Sequence, residues 1–220
     1  MICHTYHPQG TLGKMQPFTC YMLPLLAILS IFLSHNFIII HATSRLTETK
    51  TKTETDLDTY KDFIKASCQT TKYASLCYKT LSPYAANIRK NPMALANAAL
   101  TESLKSAKST SKVVRGLSKG RDLSTRDGQA VADCLENMSD SVDEMKKSMV
   151  AMKEMEGPDF EENMENVKTW VSAALTDEDT CMDGFEENDG KMKESIRRYI
   201  VNVAELTSIA LSLINNISST

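Results

Sequence analysis

The stretch from Thr169 to Phe185, TWVSAALTDEDTCMDGF, gathers the side chains best suited to chemistry: the carboxylates of Asp177, Glu178 and Asp179, the cysteine Cys181, and the chain's single tryptophan, Trp170. Three roles suit such a set. Paired carboxylates hydrolyse glycosides, clustered oxygens hold calcium, and a cysteine at a helix end forms a cross-link. An EF-hand loop needs oxygen ligands at its first, third and fifth positions, glycine at the sixth and glutamate at the twelfth. Starting at Asp179 sets Asp183 and Gly184 correctly but puts Cys181 third and Gly190 twelfth; starting at Asp177 puts Met182 where glycine belongs. Both registers fail. A glycosidase dyad needs a cleft with a second wall, which a chain so poor in aromatics does not suggest. The expectation is therefore a solvated acidic face around a buried cysteine.

The histidines narrow the chemistry further. His4 and His7 precede, His35 lies within and His41 directly follows an apolar run from Phe18 to Ile40 that carries no Lys, Arg, Asp or Glu. Lys14 precedes this run and small residues follow it. That pattern reads as a secretory signal over 1–42, cleaved after Ala42 or Ser44. A membrane anchor is the rival reading, since about 20 apolar residues span a bilayer, but Pro24, His35 and Asn36 interrupt the run. Cleavage would leave a secreted, extracellular protein with no membrane segment and no histidine. Such a domain cannot build a Ser-His-Asp or Cys-His pair, and it lacks the usual imidazole metal ligand. The sequence predicts no catalytic residue, no metal and no cofactor.

Of six cysteines, Cys3 and Cys20 leave with the signal, and Cys68, Cys77, Cys134 and Cys181 remain. An even number in a secreted chain points to disulfides. Cys68 and Cys77 are near enough to staple a local turn. Cys134 and Cys181 lie on the apolar sides of two long helical segments, so 68–77 with 134–181 is the simplest of three connectivities.

These residues need a scaffold, and the composition favours helix: glycine and proline are scarce, and alanine, leucine, methionine, lysine and glutamate are abundant. With no basic block and a net charge of −3, nucleic acid is not an expected partner. Residues 43–56, TSRLTETKTKTETD, form a polar lead-in that should be disordered. Structure should begin near Leu57 and fill one domain, with a hairpin over 57–90 and a bundle over 91–218.

Four segments in that bundle alternate steps of four and three. The first starts at Pro92 and carries Leu100, Leu104, Ala107, Ser111 and Val114. The second carries Val131, Leu135, Met138, Val142, Met145, Met149 and Met152, and stops at Gly157-Pro158. The third opens in the acidic turn PDFEE and continues through Phe160, Met164, Val167, Val171 and Ala174. The fourth carries Met192, Ile196, Tyr199, Val203, Leu206, Ala210, Leu213 and Ile217. Four amphipathic segments with mostly short connections predict an all-α protein, an antiparallel four-helix bundle preceded by a short disulfide-closed helical hairpin. The methionine stripe reads as core filling rather than a copper site, and Trp170 as core rather than a sugar platform. Thr71 and Tyr73 read as capping and packing within the hairpin. Asn137-Met-Ser and Asn216-Ile-Ser are candidate glycosylation sequons.

The same residues carry a resemblance. WVSAALTDEDTCMDGF is similar to a signature of the plant invertase and pectin methylesterase inhibitor family. CQTTKYASLC matches that family's first cysteine pair, with Cys68, Thr71, Tyr73 and Cys77 in place, and DCLENM resembles the segment around its third cysteine. Met138 departs from the pattern, where an aromatic residue is expected. The resemblance implies disulfides Cys68–Cys77 and Cys134–Cys181 and a non-catalytic protein that binds a cell-wall enzyme and obstructs its substrate cleft. In some members of that family the same domain precedes a pectin methylesterase catalytic domain; with this chain ending after Ile217, the resemblance leads to the expectation of a free-standing inhibitor. The SAALTDEDTCMDGF wording lies closer to the pectin methylesterase branch, and a Pro-Lys-Phe motif of the invertase inhibitors is missing. The implied partner is pectin methylesterase, with acid invertase as the alternative and a non-inhibitory structural or signalling wall protein as a second. The polar positions of the second and third bundle helices are the first candidates for the inhibitory surface, although no residue matches a binding motif. Binding is expected to be tighter at mildly acidic pH, and carboxylates would have to carry that dependence.

Overall fold

The computed structural model describes residues 54–119, 123–155, 157–185 and 191–217. The expected signal, its cleavage site and most of the polar lead-in lie outside them. Helix α1 covers 54–68 and buries Ile64 and Cys68, with Leu57, Tyr60 and Phe63 half-covered beside them. It is already helical at 54, three residues inside the expected lead-in, because a helix extends past the point where its buried face begins. A short turn leads to α2 (Ala74–Leu81), a single 3₁₀ turn (Ser82–Tyr84) and α3 (Ala85–Ile88). Cys68 and Cys77 are joined, their Cα atoms 5.6 Å apart, which closes the α1–α2 hairpin.

The bundle comprises α4 (Pro92–Ser118), α5 (Thr125–Lys153), α6 (Phe160–Asp183) and α7 (Lys191–Ile217). Local chemistry sets where these helices begin. Asn91 caps α4, its Oδ1 accepting from Ala94 N at 3.0 Å, and Pro92 follows at the first helical position, where its missing N–H is not needed. Ser124 caps α5, accepting from Asp127 N at 3.1 Å and donating to Asp127 Oδ2 at 2.8 Å. Gly157, with φ of +84°, makes the left-handed turn between α5 and α6 that a side chain would strain.

Helices α4 and α6 each pack against α5 and α7, so the four antiparallel helices form a ring with α4 diagonal to α6. One core runs through this ring and continues under the hairpin. By length and composition, residues 193–217 of α7 would suffice to cross a membrane. Here Ile196, Ile200, Val203, Ile209, Ala210, Leu213 and Ile214 are buried against the other helices, so α7 is a core helix.

The buried seams differ from the expected ones at alternate positions. Along α5 the chain buries Cys134, Ser141 and Ser148, while Leu135, Val142 and Met149 flank the core half-covered. Along α4, Thr110 is buried instead of Ser111. On α7, Ile200 points inward and Tyr199 is 42% exposed. The reason is common to all three helices. An apolar stripe about 100° wide has two ways to continue the 4-3 alternation, and on α5 the centre takes the small residues Cys134, Ser141 and Ser148 while bulkier neighbours close the sides.

Candidate functional site

The acidic stretch from Asp177 to Asp179 lies on α6, and its carboxylates part company. The repeat Met164, Val167, Val171, Ala174 continues by four to Glu178 and by three to Cys181, so Glu178 occupies the seam. It is fully buried. The expectation of a solvated acidic face holds for Asp179, which is exposed, and fails for Glu178.

Glu178 meets a partner from each neighbouring helix. Its Oε1 accepts from Ser141 Oγ of α5 at 2.8 Å and from Thr207 Oγ1 of α7 at 2.9 Å. Thr207 Oγ1 lies 2.6 Å from Ser103 Oγ of α4. Ser103 in turn reaches Met145 Sδ at 3.3 Å. One polar residue from every bundle helix therefore joins a single buried layer. Oε2 of Glu178 has no partner. Burial drives the pKa up from 4.5 to about 8, against the opposing pull of the two hydroxyl donors. At neutral and acidic pH the carboxyl is uncharged, which spares the core an unpaired anion. A catalytic acid must touch its substrate, and nothing can reach Glu178 without opening the bundle.

Asp177, one residue earlier, turns toward α5. Loss of solvent and the neighbouring carboxylates of Asp140 and Glu144 raise its pKa above the ordinary value. Glu144 is engaged by Lys147 at 2.9 Å. Among the described residues, no group of three or more His, Cys, Asp or Glu is arranged to hold a metal ion.

The other singled-out residues take structural places. Cys134 of α5 and Cys181 of α6 are joined with Cα atoms 4.2 Å apart, locking the most extensively packed helix pair. Thr71 is buried and donates to Cys68 O at 2.8 Å, holding the hairpin turn. Tyr73 precedes α2, packs on the core, and carries Lys72 Nζ 5.4 Å from its ring centre. Trp170 packs half-covered against the core. Met138, Met145 and Met152 are buried, and Met149 flanks them. Asn137 sits half-buried in mid-α5. Asn216 is exposed near the end of α7, where its Nδ2 donates to Thr70 Oγ1 at 2.7 Å. The described chain thus offers no assembled catalytic centre, but it offers a rigid surface: the outward face of α5 and α6, pinned by a disulfide.

Comparison with known proteins agrees with this architecture. Residues 62–213 match the family model for the plant invertase/pectin methylesterase inhibitor. Pectinesterase inhibitor 10 of Arabidopsis thaliana is 49% identical over 162 residues, covering 72% of this chain and 52% of that protein; the chain thus matches about half of that relative's length. Pectinesterase inhibitor 9 of the same plant is 47% identical over 161 residues, covering 70% of this chain and 79% of its own. A crystal structure of a mutant form of an Arabidopsis pectin methylesterase inhibitor superposes with a TM-score of 0.56 at 22% identity, covering 67% of this chain and 92% of that one, a likeness of fold. With most of the bundle matched and both cysteine pairs joined, the chain belongs to the plant invertase/pectin methylesterase inhibitor family.

Proposed function

We propose that this chain is a secreted, non-catalytic inhibitor that binds plant pectin methylesterase, obstructs its substrate cleft and so limits the demethylesterification of cell-wall pectin. The observation that carries this reading is the 49% and 47% identity, over nearly the whole bundle and hairpin, to two proteins named as pectinesterase inhibitors. The fold supports it physically. A surface on helices locked by the Cys134–Cys181 bridge loses little conformational freedom on binding, so more of the contact energy becomes affinity. The outward positions of α5 and α6 are the proposed contact surface.

Secretion belongs to the same proposal, supported by the uncharged apolar run ahead of Ala42 and by two disulfides, which persist in oxidising compartments. Sequencing the N-terminus of protein recovered from extracellular fluid should begin at Thr43 or Arg45. An intact Met1 or Met15 would contradict it. The function itself is tested by titrating the purified, oxidised protein into parallel assays of plant pectin methylesterase and acid invertase. Loss of the first activity alone is expected; loss of invertase activity alone would transfer the target within the family.

A further inference from the structure

A second surface, on the opposite side of the ring, has a different chemistry. Lys105, Lys108, Lys112 and Arg115 follow one another by three, four and three residues along α4, Lys119 follows just past its end, and all five are exposed. At 100° per residue these steps keep the four helical cations on one side of α4, a stripe about 15 Å long at 1.5 Å per residue. The sequence from Ser103 to Lys119 holds no aspartate or glutamate. Glu102, at the upstream end, lies 3.6 Å from Lys105 Nζ and accepts from Tyr84 OH at 2.6 Å, so it balances only the first cation. The helix diagonal to it, α6, is the reverse: Glu161, Glu162, Glu165, Asp177, Asp179 and Asp183 against a single Lys168, with Glu178 buried. A protein of net charge −3 has thus gathered a one-sided positive line.

Beside the stripe, a groove of about 440 Å³ runs between α4 and α7. Glu102, Lys105, Ser106 and Ser109 form the α4 wall, Tyr199 and Asn202 the α7 wall, and Leu76 and Thr80 of α2 close one side; the Glu102 carboxylate is engaged by Tyr84 and Lys105. Asn202 Nδ2 donates to Ser106 Oγ at 3.1 Å, which joins the walls. The exposed Tyr199 ring offers an aromatic face, and the serines and the amide offer hydrogen bonds. Aromatic face, hydroxyl partners and a cation together suit a sugar ring that bears a carboxylate.

We propose that the α4–α7 face binds a linear polyuronate, with the lysine and arginine stripe pairing its carboxylates and the groove seating one of its sugar rings. The choice of polymer rests on the proposed target. A pectin methylesterase hydrolyses methyl esters of a polyuronate and leaves one carboxylate on each sugar it has processed. The α4–α7 face would then hold the inhibitor where its target has already acted, while the α5–α6 face remains directed to the enzyme. Successive cations advance by roughly 4.5–6 Å along the helix axis, a spacing that favours a repeating anion over a single small one. Exposed charges also make the attachment salt-dependent.

The binding test uses the full oxidised protein without enzyme, and inhibition of pectin methylesterase and acid invertase by the same variants is assayed in parallel. Binding to fully demethylated oligogalacturonate, to fully methylesterified oligogalacturonate and to dextran sulfate is measured by calorimetry at pH 6 and two salt concentrations. The expected result is binding to the demethylated oligomer that weakens with salt, falls at least tenfold in K108E/K112E/R115E and severalfold in Y199A, and is missing for the ester. K108Q/K112Q, which adds no repulsion, should weaken it by less, and circular dichroism should show unchanged helix in each variant. Equal affinity for ester and acid, or no effect of the charge variants, overturns the proposal. Dextran sulfate bound more tightly, with Tyr199→Ala silent, shows a face that reads charge alone and overturns the uronate assignment. Loss of enzyme inhibition in the charge variants without any polymer binding would assign this face to the enzyme instead. Polymer binding without inhibition of either enzyme leaves this proposal standing and removes the proposed function.

Discussion

Ser141 Oγ of α5 donates to Glu178 Oε1 of α6 at 2.8 Å inside the bundle, where neither residue is exposed to solvent. This contact sits between the two helices that the Cys134–Cys181 bridge also joins. A covalent link and a buried hydrogen bond therefore fix the same pair of helices, and the carboxyl that accepts the bond stays neutral through most of the physiological range.

That neutrality makes stability depend on pH. Glu178 titrates near 4.5 in the unfolded chain and at about 8 in the folded one. Between those values the folded protein holds a proton that the unfolded chain has released. The contribution of Glu178 to stability is therefore greatest below the unfolded value, falls as pH rises through this window, and levels off above it. Each pH unit carries about 1.36 kcal/mol, so the ceiling is about 5 kcal/mol; relaxation of the site should reduce the observed effect to a few kcal/mol. Glu178→Gln keeps the acceptor oxygen and removes the titration. Urea unfolding at pH 4.5, 6 and 8 should show a declining midpoint for the native sequence and a nearly flat one for the variant. Parallel declines would locate the dependence elsewhere, with Asp177 the next group to test.

Removing the second bridge by replacing Cys134 and Cys181 together with serine should lower stability by about 2–4 kcal/mol, because the bridge closes a loop between residues 47 apart. Thermal unfolding followed by circular dichroism would measure it. The helix signal at low temperature should survive, since the bundle core does not depend on the sulfurs alone. Inhibition should weaken more than the helix signal does.

Arg89 ends α3 with φ of +55° and ψ of −118°, a region that a side chain disfavours, and it is exposed. Arg89→Gly removes the clash of the Cβ with the backbone and should raise stability by about 1 kcal/mol, the loss of strain exceeding the added freedom of the unfolded chain. Denaturant unfolding at pH 5 measures it; a loss of stability would show that Arg89 makes contacts that outweigh its strain.

Much of this architecture was legible from spacing. The 4-3 alternation located all four bundle helices, and Pro92 and Gly157 marked a start and a stop that the structure keeps. Periodicity could not choose between adjacent residues on a broad apolar stripe. Leu135, Val142 and Tyr199 attract attention as bulky apolar residues, yet Cys134, Ser141 and Ile200 lie deeper. Glu178 shows the same limit more sharply. Its place, four after Ala174 and three before Cys181, pointed inward, but its charge suggested solvent. Only the hydroxyls of Ser141 and Thr207, 37 and 29 residues distant in sequence, make the inward position tolerable. The α4 stripe was passed over in the sequence because its cations, three and four residues apart, form no basic block, and its bearing depends on α6 standing across the ring and α7 supplying Tyr199 beside it.

The most direct test of the central claim is a stoichiometric titration of oxidised protein into a plant pectin methylesterase of known active concentration, at mildly acidic pH, with the complex followed by size-exclusion chromatography. Activity should fall linearly to near zero at about one equivalent, with both proteins eluting together and acid invertase unaffected. Undiminished esterase activity and separate elution, from a protein whose helices and both disulfides are intact, would contradict it.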